Sequence, residues 1–250
     1  MSAHSYLDWP GPIAFAHRGG NAVAPENTLA AFEHAVSLGY RYLETDVHRT
    51  TDGELVAFHD PDLQRTCGID ARIGEMSAAE VGRARVDGEH QIPLMSELFE
   101  RFPDARFNID AKSDDAVEPL TEMVRSFAAL DRVCLASFKL ANLRRMRSIL
   151  GPGLLTNMAP SEVARLKVLG RTSGSPRRVA QVPPEQGRIS LVDERFVAAA
   201  HRGDVAVHVW TINDRFEISR LLDLGVDGIM TDDCALLRSV LLERGQWVEF

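Results

Sequence analysis

The stretch ETDVHRTTDGELVAFHD, residues Glu44 to Asp60, crowds five acidic residues and two histidines into a pattern that also alternates apolar side chains as a strand does. Thr51-Asp52-Gly53 is the expected bend between two strands, because Asp tolerates unusual dihedrals and Gly takes positive φ freely. Side chains repeat every second residue along a strand, so Glu44, Asp46 and His48 share one face. Neighbouring carboxylates repel unless a positive group lies between them, which points towards a metal ion. His59 ends the returning strand and can fold back over the mouth opposite His17. His48 is expected nearer solvent, in a structural place.

Two further runs supply partners. In AHRGG, His17 is an acid/base group beside Arg18, whose planar guanidinium can grip phosphate oxygens in a bidentate fashion; Gly19 and Gly20 would let a ligand approach the backbone. In NIDAK, Asp110 and Lys112 are two apart and so face the same way. They could form a simple salt bridge, or Asp110 could join Glu44 and Asp46 around a cation. Three carboxylates suit a hard divalent ion such as Mg²⁺ or Ca²⁺, and no His/Cys spacing favours zinc. Two histidines beside a phosphate and a metal are what acid/base hydrolysis of a phosphodiester needs, since one takes a proton and the other gives one. His4, His34, His90, His201 and His208 lack such company and receive no role.

These residues need a scaffold that brings distant strand ends together. Strand candidates begin at Ile13, Arg41, Ala105, Arg132, Gly153, Arg177, Val205 and Asp227, each followed by a helix candidate. Eight such units in 250 residues predict an α/β fold, a (β/α)₈ TIM barrel, with chemistry at the C-terminal strand ends. The Gly-rich turn of an open dinucleotide-binding sheet is missing after the first strand. Residues 1–250 read as one barrel domain with a polar, Gly-dotted insertion at about 61–93, between the second strand and its helix; it is expected as a lid or as a small decorative subdomain. PENT, Pro25 to Thr28, reads as a helix start with Asn27 as N-cap, and Glu26 as a group that could orient the site.

Composition narrows the partners. A net charge of −8 disfavours nucleic acid, while a few local cations suffice for a small phosphate. No apolar run is long enough for a transmembrane segment, and the N-terminus lacks the pattern of a secretory leader, so a cytoplasmic location is expected. Cys67, Cys134 and Cys234 are far apart and odd in number, as ordinary reduced thiols are. Nothing in the composition sets an oligomeric state.

The ordered set AHRGG, PENT, ETDV, TDGELVAFHD, NIDAK, VAQVP, VHVWTIND and GVDGIMTD resembles the glycerophosphodiester phosphodiesterases over nearly the whole chain. The resemblance implies a (β/α)₈ barrel, a divalent cation, and a small-molecule substrate, a glycerophosphodiester, cleaved to an alcohol and glycerol 3-phosphate through a cyclic phosphate that water opens. It makes His17 and His59 the acid/base pair, Arg18 and Lys112 phosphate ligands, and Glu44, Asp46 and Asp110 metal ligands, with Trp210 packed against the glycerol or its leaving group. Asp110 departs from the family's commoner Glu, which puts metal affinity or choice in question. A lysophospholipase D, a lyase that stops at the cyclic product, and a non-catalytic phosphate-binding barrel are the alternatives.

Overall fold

The computed structural model describes residues 5–172, 177–187 and 189–249; His4 lies outside them. Eight parallel strands form the centre: β1 Ile13–Ala16, β2 Tyr42–Arg49, β3 Arg106–Ala111, β4 Val133–Ala136, β5 Leu155–Asn157, β6 Arg178–Val182, β7 Ala206–Val209 and β8 Gly228–Thr231. Each pairs with its neighbour, and β1 pairs with both β2 and β8, so the sheet closes on itself as a (β/α)₈ barrel. Closure leaves no edge among the eight strands. The register sets Phe15 beside Tyr42, Glu44 beside Asn108 and Asp46 beside Asp110.

The helices are α1 Leu29–Ser37, α2 Met95–Arg101, α3 Val117–Ser126, α4 Leu140–Leu150, α5 Pro160–Leu169, α6 Glu194–Arg202, α7 Arg215–Asp223 and α8 Cys234–Glu243. Several start at a side-chain cap: Asp193, Asp214 and Asp233 accept backbone N–H bonds at 2.8–2.9 Å from the third residue onward. The expected cap of α1 shifts by one residue. Thr28 accepts from the Ala31 N–H, whereas Asn27 has φ 56° and its amide oxygen accepts from the Thr45 hydroxyl at 2.8 Å. Asn27 therefore anchors the loop to β2. No helix among the described residues is long and apolar enough to cross a membrane.

Two cores result. One lies between the helices and the outer face of the barrel, and a smaller one fills the interior with Tyr6, Ile13, Phe15, Tyr42, Cys134, Leu155, Val179 and Met230. The chain's start seals the lower end: the Tyr42 hydroxyl donates to the Tyr6 carbonyl at 2.6 Å, and Arg106 Nη1 donates to the Asp8 carbonyl at 3.1 Å. Gly228 has to be Gly, because a Cβ there would lie 2.9 Å from the Phe15 ring and 3.0 Å from that of His208.

Beyond β2 the chain turns at residues 50–54 and returns as the antiparallel strand Leu55–Ala57, with Val47 opposite Ala57 and Gly53 at φ 96°. The segment that follows contains the short helices Gln64–Cys67 and Ala78–Val81 and a strand pair, Arg85–Val86 with His90–Gln91. It has its own apolar cluster, in which Leu63, Ile73, Val81 and Val86 pack on Val56 and Phe58 of the hairpin. Its apolar residues come singly, each from a different turn, which is why no periodicity announces them.

Candidate active site

A cavity of about 260 Å³ lies at the C-terminal ends of the strands, where His17, Arg18, Glu44, Asp46, His59, Asp110, Lys112 and Trp210 all line it. One end is ionic and the opposite wall apolar.

His17 leaves β1 with Nδ1 2.7 Å from Asp232 Oδ1, across the seam where β8 meets β1. Asp232 is itself held, its other oxygen accepting from Asn213 Nδ2 at 2.8 Å. With Nδ1–H engaged, Nε2 is left towards the cavity, 3.9 Å from Glu44. Burial alone would depress the His17 pKa, but Glu44 and the hydrogen bond to Asp232 outweigh it and raise it. His59 is built the same way: its Nδ1 is 2.6 Å from Asp60 Oδ1. His48 Nε2 donates to the His59 carbonyl at 3.0 Å. That corrects the expectation of a His48 near solvent, since it is 7% exposed and holds the backbone of its neighbour.

Arg18 sits in the left-handed region at φ 51°, which aims its backbone N–H at Glu44 Oε2, 3.0 Å away. Its side chain reaches Glu26 at 3.1 Å and Asp46 at 3.2 Å; the latter approach is an ion pair off the angle of a hydrogen bond. Gly19 and Gly20 serve this turn rather than ligand access. Neither lines the cavity, both have φ near 85°, and a Cβ on Gly20 would lie 2.5 Å from Cys234 Sγ.

Lys112 places its ammonium between Asp46 and Asp110, at 2.7 and 2.9 Å. Burial opposes that charge, but the two carboxylates outweigh burial and raise the Lys112 pKa. The salt bridge read from the two-residue spacing is thus present and takes in Asp46 as well. Among the described residues, no three acidic, His or Cys side chains close into a ready metal cage. The donor chemistry nevertheless suits a hard divalent cation. Glu44, Asp46 and Asp110 are all buried, and Asp110 Oδ1 has no hydrogen-bond partner. Burial, then the charge of Asp46, pushes the Glu44 carboxyl up to about 7.

Across the cavity stand Phe138, Met158, Val163, Val182 and Leu191, with Phe138 edge-on to Trp210 at 6.2 Å between ring centres. Lower down, Gln181 donates to the Asn108 amide oxygen at 2.6 Å. Sequence reasoning assigned no role to Asp60, Asp232 or Asn213. Asp60 had a signal, adjacency to His59; Asp232 becomes a neighbour of His17 only when the last strand meets the first.

The Glycerophosphoryl diester phosphodiesterase family matches this chain over residues 17–236. The chain belongs to that family. "Probable glycerophosphodiester phosphodiesterase 2" of Mycobacterium tuberculosis is 34% identical, over 97% of this chain and 95% of its own. "Lysophospholipase D GDPD1" of Homo sapiens is 30% identical, over 90% of this chain and 85% of its own. A phosphodiesterase of Oleispira antarctica, solved in complex with sn-glycerol-3-phosphate, shares the fold with a TM-score of 0.76 at 24% identity, over 92% of this chain and 97% of its own. As a glycerophosphoryl diester phosphodiesterase, the chain is an enzyme acting on small glycerophosphodiesters, and the non-catalytic barrel falls away.

Proposed function

We propose that the protein cleaves glycerophosphodiesters to an alcohol and glycerol 3-phosphate by two-histidine acid/base catalysis that depends on a divalent cation. What carries this reading is the pair of His–Asp dyads, His17–Asp232 and His59–Asp60, at one cavity with Arg18 and Lys112. Each aspartate holds Nδ1 and leaves Nε2 for proton transfer, the arrangement that lets imidazole act as base or acid near neutral pH.

The substrate phosphate lies against Arg18, whose fork matches two phosphate oxygens, and against the ammonium of Lys112. One histidine accepts the proton of the glycerol 2-hydroxyl as that oxygen bonds to phosphorus. The other donates its proton to the departing alkoxide as the old P–O bond breaks. The two then exchange roles: water gives a proton to one histidine and attacks the cyclic phosphate, and the released glycerol oxygen takes a proton from the other. Glu44, Asp46 and Asp110 would hold the cation, Mg²⁺ or Ca²⁺, which when bound offsets negative charge on the phosphoryl oxygens. Trp210 supports the glycerol or the leaving alcohol.

Glycerol 3-phosphate release from glycerophosphocholine tests this, measured after EDTA treatment and again with Mg²⁺ or Ca²⁺ restored. Activity should vanish and return; full turnover in metal-free buffer sinks the cation assignment, and accumulation of a cyclic phosphate replaces hydrolysis by a lyase outcome. The apolar wall of Phe138, Met158, Val163, Val182 and Leu191 favours a second reading, lysophospholipase D, because it could cover an acyl chain. Lysophosphatidylcholine turned over with a higher kcat/KM than glycerophosphocholine would establish it.

A further inference from the structure

The segment after the hairpin sends one side chain back to the catalytic groups. Arg65, in the short helix Gln64–Cys67, places Nη1 and Nη2 3.1 and 2.6 Å from the two oxygens of Glu26, and Nε 2.5 Å from Asp60 Oδ2. Asp60 turns its other oxygen to His59, and Glu26 Oε1 also accepts from Arg18 at 3.1 Å. A single guanidinium therefore joins two chains of contact, Arg65–Asp60–His59 and Arg65–Glu26–Arg18. The first reaches a proton-transfer group, the second a phosphate-gripping one.

The bland alternative is a surface staple between this segment and the barrel, and exposed ion pairs contribute little to stability. Two observations favour more. The fork is bidentate on a carboxylate that is largely buried, with a side-chain exposure of 13%, a geometry in which direction as well as charge is specified. Its third contact falls on the oxygen of Asp60 that His59 does not use, so both oxygens of that carboxylate are held. Burial raises the pKa of both Glu26 and Asp60, yet both stay below the usual carboxylate range because Arg65 hydrogen-bonds to them, with Arg18 and His59 adding to this.

We propose that Arg65 is a positioning residue of the active site: it holds Asp60, and through it His59, and holds Glu26, and through it Arg18, so that the segment after the hairpin sets catalytic geometry. This rests on the reading of His59 and Arg18 given above. Loss of the first chain should appear in kcat and loss of the second in KM.

The test uses the full-length protein loaded with Mg²⁺ and glycerophosphocholine as substrate. Arg65→Ala should lower kcat on the order of tenfold to a hundredfold, the scale of a small misplacement of a catalytic group, and raise KM. Added guanidinium chloride at a non-denaturing concentration should restore part of kcat, since the side chain is half exposed and the vacated space is reachable from solvent. In the Asp60→Asn background, Arg65→Ala should cause little further loss of kcat, because the two act along one chain of contact. Arg72→Met, in the same segment but with its side chain paired to Glu75 at 3.9 Å, should keep parental kinetics. The proposal is overturned if Arg65→Ala retains parental kcat and KM, if guanidinium fails to rescue a folded variant, or if the Arg65 and Asp60 losses multiply. A parent that releases no glycerol 3-phosphate overturns the functional reading itself, which is a different result from a working parent matched by its Arg65 variant.

Discussion

The upper and lower halves of the barrel interior are made by the same strands and face the same axis, yet they are opposites in chemistry. On β1, Phe15 lies below His17; on β2, Tyr42 lies below Glu44 and Asp46; at β8, Met230 lies below Asp232. The lower half is packed with aromatic and aliphatic side chains, as in the edge-to-face contacts of Tyr42 with Tyr6 and Phe15 at 5.2 Å. The upper half is a web of ion pairs around a cavity. Stability is concentrated below, where burial is complete, and reactivity above, where like charges are held together at some cost. Two residues of separation along a strand are enough to move from one regime to the other.

That division can be broken most forcefully from below. Phe15→Ala removes a fully buried ring, and we expect a loss of about 3–5 kcal/mol in denaturant unfolding, with kcat of the remaining folded fraction little changed. A stability change under 1 kcal/mol would show that the lower barrel does not carry the fold. From above the pattern should invert: His17→Ala and His59→Ala are each expected to reduce turnover by roughly 10²-fold or more while the melting temperature stays close to that of the parent. Near-parental rates in either variant would remove that histidine from the mechanism.

Asp110→Asn sharpens the contrast within the upper half. If Asp110 is a cation ligand, the half-saturating Mg²⁺ or Ca²⁺ concentration should rise roughly tenfold or more, on the scale seen when groups supporting a metal site are altered. If it serves only Lys112, to which it is bonded at 2.9 Å, the metal titration should match the parent's. Asp110→Glu should retain activity and shift the preference between the two ions, because ligand reach and flexibility help separate them.

The smallest effect tests a polar group in the lower half. His208 is fully buried against Phe15, with neither ring nitrogen hydrogen-bonded among the described residues, and burial pushes its pKa down to about 4. The unfolded chain takes up this proton near pH 6.5 and the folded one does not, so the stability contribution is intact above that value and is lost as pH falls towards 4. Between pH 8 and pH 6 the loss should be about 1 kcal/mol, and His208→Leu should flatten this part of the curve. A pH dependence unaffected by His208→Leu would assign the effect to other groups.

Much of this was readable in the chain itself. Eight strand-and-helix units, the turn around Gly53, the shared face of Glu44 and Asp46 and the pairing of Asp110 with Lys112 all follow from short-range periodicity, which a sequence carries directly. Other features arise only when remote segments meet. Asp232 reaches His17 because β8 closes against β1; Lys112 lies between carboxylates of two strands because Asp46 and Asp110 share a register position; Arg65 meets Glu26 across 39 residues of chain. His48 illustrates the same limit in the other direction: its alternation placed it correctly on a face, but its burial beneath His59 was decided by how the hairpin folds back. Local pattern determines which way a side chain points, whereas its partner, its solvent exposure and hence its proton affinity depend on what the closed barrel brings against it.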